Sequence, residues 1–247
     1  MATLFQTYYA SPIGTLVVSA TKGIETDTLA LMSQVFAECL PQGRFAALSG
    51  PSFAAEVCQG QPTAVVAAAS DERTARDAQQ VFATPTFRVY SGQDVVGVEL
   101  GGALKNVIAI AAGVLEGMGL GSNTTAALIT RGLHEMTRLG LALGGRLETF
   151  AGLAGMGDLV LTCTGALSRN RTVGVQLGRG KTLEEILRDA KFVAEGIKTS
   201  RAARALSERH VIEMPIATEM CRVLYEGESP RAGLQRLMTR TLKAEVA

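Results

Sequence analysis

Residues 87–110, FRVYSGQDVVGVELGGALKNVIAI, contain the switch that decides the fold. Phe87 to Tyr90 reads as a short strand, Ser91-Gly92-Gln93-Asp94 interrupts it with turn-forming residues, and from Val95 the sequence predicts a helix to about residue 118. Lys105 is the only charge between Glu99 and Glu116 on that apolar stretch. Burying an ammonium there is costly unless it is paired, and desolvation lowers a lysine's pKa toward values at which it accepts a proton near neutrality. Lys105 is therefore a candidate general base. The competing reading, a stem laid along the core with its head snorkelling to water, is equally compatible with the stretch taken alone.

Upstream of this switch, short β-rich runs alternate with polar helical ones, which implies a parallel sheet covered by helices. The strands read as Thr15–Ala20, Arg44–Ser49 and Thr63–Ala69, and the helices as Thr26–Leu40, Phe53–Gln59 and a segment capped by Asp71 and running to about Phe82. Downstream the β signal vanishes. Helices are predicted near 95–118, 124–143, 169–177, 182–190, 195–209, 215–226 and 229–241, with Pro215 and Pro230 at first-turn positions. The fold class is thus α/β followed by all-α, with domains at 1–94 and 95–247.

The composition narrows the function. A chain of 247 residues, 47% hydrophobic and 19% charged, can bury a full core. A formal net charge of +1 leaves no electrostatic footprint for nucleic acid. Four dispersed cysteines, Cys39, Cys58, Cys163 and Cys221, and only two histidines, His134 and His210, do not suggest a metal site; they fit reduced thiols in a cytoplasmic protein. The apolar stretch around Lys105 is broken by Glu116 short of the roughly 20 residues a membrane span needs. Residues 1–21 show no export signal.

Two phosphate-loop patterns fail. No G-x-G-x-x-G follows a strand, and Gly180-Lys181-Thr182 has Val175 where a P-loop requires glycine. Three other clusters remain. Lys22 and Gly23 follow the first strand, at the edge where open α/β sheets bind ligands. Ser49-Gly50-Pro51-Ser52-Phe53-Ala54 runs from a strand end into a helix start and offers hydroxyls and amides to an oxyanion, or simply forms a capped turn. Asp158, in GMGDLVLTC, places an acid among apolar residues or simply caps a helix, and Arg169 in SRNR adds a forked guanidinium suited to phosphate or to plain solvation. A base, an acid to orient it and separate cations for an anion are what proton removal from a phosphorylated alcohol requires.

The segments ATKG (20–23), SGPSFA (49–54), GVELGGALKNVIAIAAG (97–113), TTAALITRGLHEM (124–136), AGMGDLVLTCT (154–164), SRNR (168–171) and VAEG (193–196) resemble, in order, the bacterial NAD(P)-dependent glycerol-3-phosphate dehydrogenases. The resemblance implies a Rossmann-like domain, a helical substrate domain, and interconversion of sn-glycerol 3-phosphate and dihydroxyacetone phosphate with NAD or NADP. It implies Lys105 as proton acceptor and donor, with Asp158 and Thr162 beside it as catalytic residues. Lys22, Gly50, Ser52, Asn106, Ser168, Arg169 and Asn170 would join Lys105 and Asp158 in holding the substrate. Lys22, Ala54, Arg169, Val193 and Glu195 would contact the cofactor. A homodimer, with neither nucleic acid nor membrane as partner, and a place in phospholipid synthesis belong to the same expectation.

One departure stands out. Members of that family begin with a strand and a glycine-rich phosphate loop, whereas this sequence opens near the strand before ATKG. The expectation is a truncated member whose dinucleotide domain is incomplete and whose cofactor binding is impaired. The alternatives are an inactive phosphometabolite-binding module or a related β-hydroxyacid dehydrogenase, the latter disfavoured by the adjacency of Lys105 and Asn106.

Overall fold

A computed structural model describes residues 14–189, 192–242 and 244–245. Strands β1 (Leu16–Ser19), β2 (Arg44–Ser49), β3 (Thr63–Ala68) and β4 (Phe87–Gly92) form one sheet in the order β1-β2-β3-β4. Helices α1 (Met32–Cys39), α2 (Ala54–Cys58) and α3 (Glu72–Phe82) accompany it. Asp71 caps α3 by accepting from the Thr74 amide at 2.8 Å, and Ala75 and Ala78 of α3 pack with Ala46, Val65 and Val89 of the strands.

The sheet is mixed rather than parallel throughout. β1 pairs parallel with β2, and β3 with β4, but β2 and β3 run antiparallel, with Ser49 opposite Val66. The cause is the connection. The five residues of α2 cover only about 7–8 Å, less than half the length of a six-residue strand, so this helix turns the chain instead of carrying it back along the sheet. Gly50 makes the turn with φ +145°, and a Cβ there would approach the Val65 Cα to 2.9 Å. The helix expected from Thr26 starts only at Met32. The Glu25 carboxylate accepts from the amides of Asp27 and Thr28, and Leu29 adopts φ +63°, so the preceding residues close a turn.

The second half is built around α4 (Val95–Gly117), capped by Asp94 through the Gly97 amide. Around it lie α5 (Ser122–Ala142), α6 (Leu147–Ala151), a π-helical turn (Leu153–Gly157), α7 (Asp158–Thr164), α8 (Arg169–Gly178), α9 (Leu183–Asp189), α10 (Glu195–His210), α11 (Pro215–Tyr225) and α12 (Pro230–Met238). Pro215 and Pro230 begin their helices. α6, the π turn and α7 escape sequence reading: they are short, and Gly152, Gly155 and Gly157 punctuate them. α4 is long and apolar enough to cross a membrane by length and composition, contrary to the expectation that Glu116 ends the run too soon; within this fold it is the core helix, and every residue from Gly97 to Leu115 is buried.

α8 crosses α4 at backbone contact. A Cβ on Gly113 would lie 2.1 Å from the Arg171 carbonyl oxygen, one on Gly174 would lie 2.0 Å from that of Ile110, and Gly117 and Gly178 are equally confined. Only glycine permits this approach, which fixes α8 lengthwise on α4. Glu99, also on α4, accepts from the amide and hydroxyl of Ser33 at the start of α1, tying the helical half to the sheet half.

Candidate active site

The buried carboxylate of Asp158, the first residue of α7, joins three segments that are remote in sequence. Its Oδ1 pairs with Lys105 Nζ from α4. Its Oδ2 accepts from Lys22 Nζ, in the loop after β1, at 2.5 Å, and Ser49 Oγ, at the end of β2, lies 3.5 Å from the same oxygen. Thr162, one turn along α7, donates to the Asp158 backbone carbonyl at 2.6 Å and sits 3.5 Å from Oδ1. Lys22 Nζ also lies 3.5 Å from the Gly50 carbonyl oxygen, which accepts from Ser52 Oγ at 3.0 Å.

The burial that makes Lys105 costly also makes it reactive. Desolvation, reinforced by the positive charge of Lys22 and opposed by Asp158, brings its pKa down to about 7. The ammonium thus gives up and regains a proton near neutral pH, which general acid–base work in both directions demands. Cys163, buried on the same helix as Asp158, is pushed by burial up to about 12 and stays a neutral thiol.

A second set of contacts adjoins this one. Asn106 turns its Oδ1 to Asn170, whose Nδ2 donates to it at 3.0 Å, and Asn170 Oδ1 accepts from the Gly196 amide at 2.9 Å. Ser168 caps α8 by accepting from the Arg171 amide at 3.2 Å. Arg169 stands half exposed beside the Asn pair and holds Glu195 at 3.0 Å. Of the residues singled out in the sequence, Lys22, Gly50, Ser52, Lys105, Asp158 and Thr162 form one cluster, while Asn106, Ser168, Arg169, Asn170 and Glu195 form its neighbour. Ala54, at the start of α2, and Val193, in the segment before α10, lie exposed at the periphery. Sequence reading gave Gly102 and Gly196 no role, and met Ser49 only as part of the Ser49–Ala54 cluster, not as a neighbour of Asp158. Gly102 leaves room for the Ser49 hydroxyl, which would lie 2.8 Å from a Cβ there. Gly196 brings its amide to Asn170 at a point where a Cβ would meet the Asn106 carbonyl oxygen at 2.5 Å.

Comparison with known proteins identifies the relatives of the chain. Residues 3–75 match the family model described as NAD-dependent glycerol-3-phosphate dehydrogenase N-terminus, and residues 94–235 match the one described as its C-terminus. The glycerol-3-phosphate dehydrogenase [NAD(P)+] of Citrifermentans bemidjiense is 61% identical over 237 residues, covering 95% of this chain and 71% of that protein. Its counterpart from Geobacter sulfurreducens is 59% identical, covering 94% and 70%. The crystal structure of glycerol-3-phosphate dehydrogenase from Coxiella burnetii superposes with a TM-score of 0.92 at 41% identity, covering 97% of this chain and 73% of that one. The Saccharomyces cerevisiae enzyme superposes at 0.82 with 27% identity, covering 95% and 70%. A buried lysine and aspartate between a Rossmann-like sheet and a helical half, matched along nearly the whole chain by these enzymes, places it among them: the chain belongs to the NAD-dependent glycerol-3-phosphate dehydrogenase family.

Proposed function

We propose that the chain interconverts sn-glycerol 3-phosphate and dihydroxyacetone phosphate. The observation that carries this reading is Lys105, a buried ammonium brought to about 7 by desolvation and Lys22 and paired with Asp158. In oxidation the neutral amine takes the C2 hydroxyl proton, and in reduction the ammonium returns one to the carbonyl oxygen. Asp158 and Thr162 hold Lys105 in place. Asn106 and Asn170 orient the substrate, and Arg169, whose guanidinium is half exposed, grips its phosphate together with Asn170 and Ser168. Gly50, Ser52 and Lys22 close the site from the sheet half.

The residues on the rim fit NAD or NADP. Lys22 and Arg169 supply cations for an anionic dinucleotide, and Ala54, Val193 and Glu195 lie at the same margin. When bound, the nicotinamide supplies or takes the hydride. Residues 1–94 act as the cofactor side and 95–247 as the substrate and catalytic side. Among the described residues no strand leads into a G-x-G-x-x-G loop. The reading extends to a cytoplasmic homodimer that has neither nucleic acid nor membrane as partner and that furnishes glycerol 3-phosphate for phospholipid synthesis.

The test is reduction of dihydroxyacetone phosphate by the purified chain with NADPH or NADH, followed at the nicotinamide absorbance, beside Lys105→Ala. Turnover that disappears in the variant while its circular dichroism is retained is the expected result. Undiminished turnover in Lys105→Ala overturns the role of the lysine.

A further inference from the structure

We propose that Ser49 is a positioning residue for the reaction, holding the Asp158 carboxylate in place when Lys22 turns from it toward bound substrate or cofactor. This rests on the function proposed above. Three observations lead to it.

Asp158 is almost completely enclosed, so its second oxygen depends on protein donors. That oxygen has two. Lys22 is the one open to solvent: its side chain is 22% exposed, and it reaches Asp158 from the loop after β1. Ser49 is the fixed one: it is buried at the end of β2, where the β2–β3 pairing ends opposite Val66. Its hydroxyl, 3.5 Å from Oδ2, has no other hydrogen-bond partner among the described residues.

Thr162 does not substitute for it. A hydroxyl carries one proton, and that of Thr162 is committed to the Asp158 backbone carbonyl at 2.6 Å. Nor is the placement of Ser49 incidental to packing. α4 carries glycine at 102, where a Cβ would crowd the Ser49 oxygen to 2.8 Å while meeting the Lys22 stem only at an ordinary 3.6 Å. The close approach of α4 to β2 at Gly102 thus admits a hydroxyl beside Asp158.

When the Lys22 ammonium leaves Asp158 for an anionic ligand, the Ser49 hydroxyl shortens onto Oδ2. The carboxylate stays oriented, and it continues to hold Lys105 through Oδ1. Without the hydroxyl, the buried Oδ2 has no donor left among the described residues once Lys22 has gone, and the carboxylate is no longer held square to Lys105.

The experiment compares wild type, Ser49→Ala and Ser49→Thr by steady-state reduction of dihydroxyacetone phosphate and by the 13C signal of the Asp158 side chain at one neutral pH in the full chain labelled with 13C-aspartate, with and without saturating glycerol 3-phosphate; Asp158→Asn assigns the signal. In Ser49→Ala kcat should fall about tenfold while KM changes less than threefold, and the Asp158 signal should broaden or move when glycerol 3-phosphate is added; Ser49→Thr should restore both the rate and the wild-type signal. An Asp158 signal in Ser49→Ala that matches wild type in both conditions overturns the proposal, and so does a change that Ser49→Thr does not reverse. If the signal changes as expected while the wild-type chain fails to turn over, the positioning of Asp158 stands and the reaction assigned to it falls.

Discussion

Lys105 and Asp158, fifty-three positions apart in the sequence, form an ion pair whose side chains are 7% and 2% exposed, with Lys22 on the far oxygen of the same carboxylate. Two ammoniums thus share one buried anion, and the more deeply buried of the two is the one whose proton is loosened. Asp158→Asn keeps the shape and removes the charge. Because Asp158 is what holds the pKa of Lys105 up, the variant should lower it below its wild-type value of about 7. Reduction of the ketone, which needs the ammonium, should fall at least a hundredfold at neutral pH, with its optimum displaced to acid; steady-state assays from pH 5 to 9 check this.

Stability should depend on pH in two opposing windows. Lys105 has a folded pKa of about 7 against 10.5 ordinarily, so between those values the unfolded chain binds more protons and stability rises with pH. Glu135, buried on α5 and accepting from the amides of Ile216 and Ala217, is raised by desolvation from 4.5 to about 7, so from 4.5 to 7 the folded chain holds the extra proton and stability falls as pH rises. These two groups place a trough near neutrality. Urea denaturation across pH 5–10 should show Glu135→Gln flattening the acid limb and Lys105→Met flattening the alkaline one. Unaltered limbs in both variants would remove this account.

Asn170→Ala should cost stability and affinity together. It orphans the Gly196 amide and leaves the side-chain Oδ1 of Asn106 without its donor, both of them buried. Each such loss is worth roughly 1–3 kcal/mol. The urea midpoint should fall accordingly, and calorimetric titration with glycerol 3-phosphate should show binding weakened at least tenfold.

Gly174→Ala probes the crossing of α8 on α4. A methyl group 2.0 Å from the Ile110 carbonyl oxygen forces the helices apart, a type of overpacking that costs about 1–3 kcal/mol. Because α8 begins with Arg169 and Asn170, substrate affinity should decline along with the melting temperature. The control is Gly180→Ala, in the turn after α8, where φ is +93° but a Cβ meets nothing within 4 Å; it should reduce stability and leave affinity intact.

Much of this was legible in the sequence, and what was not has identifiable physical causes. The strand-to-helix switch at residues 87–95 and the Asp71 cap can be read because each depends on neighbours in the chain. The antiparallel turn from β2 into β3 cannot be read from β-propensity, since it follows from how short α2 is. Lys105 declared itself by isolation in an apolar run, and Asp158 by the same contrast, although the helix that bears it is hidden among glycines. Ser49 carries no such signal. A serine at a strand end usually marks a turn, and its meaning comes only from the bare α-carbon of Gly102 opposite it.

The two lysines on Asp158 come from different parts of the molecule: Lys22 follows the first strand of the sheet, and Lys105 sits with Asp158 in the helical half. Any rotation between the two parts therefore changes the charge surrounding Lys105. Lys22 loosens the proton of Lys105 and Asp158 retains it, so the acidity of the buried lysine is composed jointly by two stretches of chain that fold into different layers.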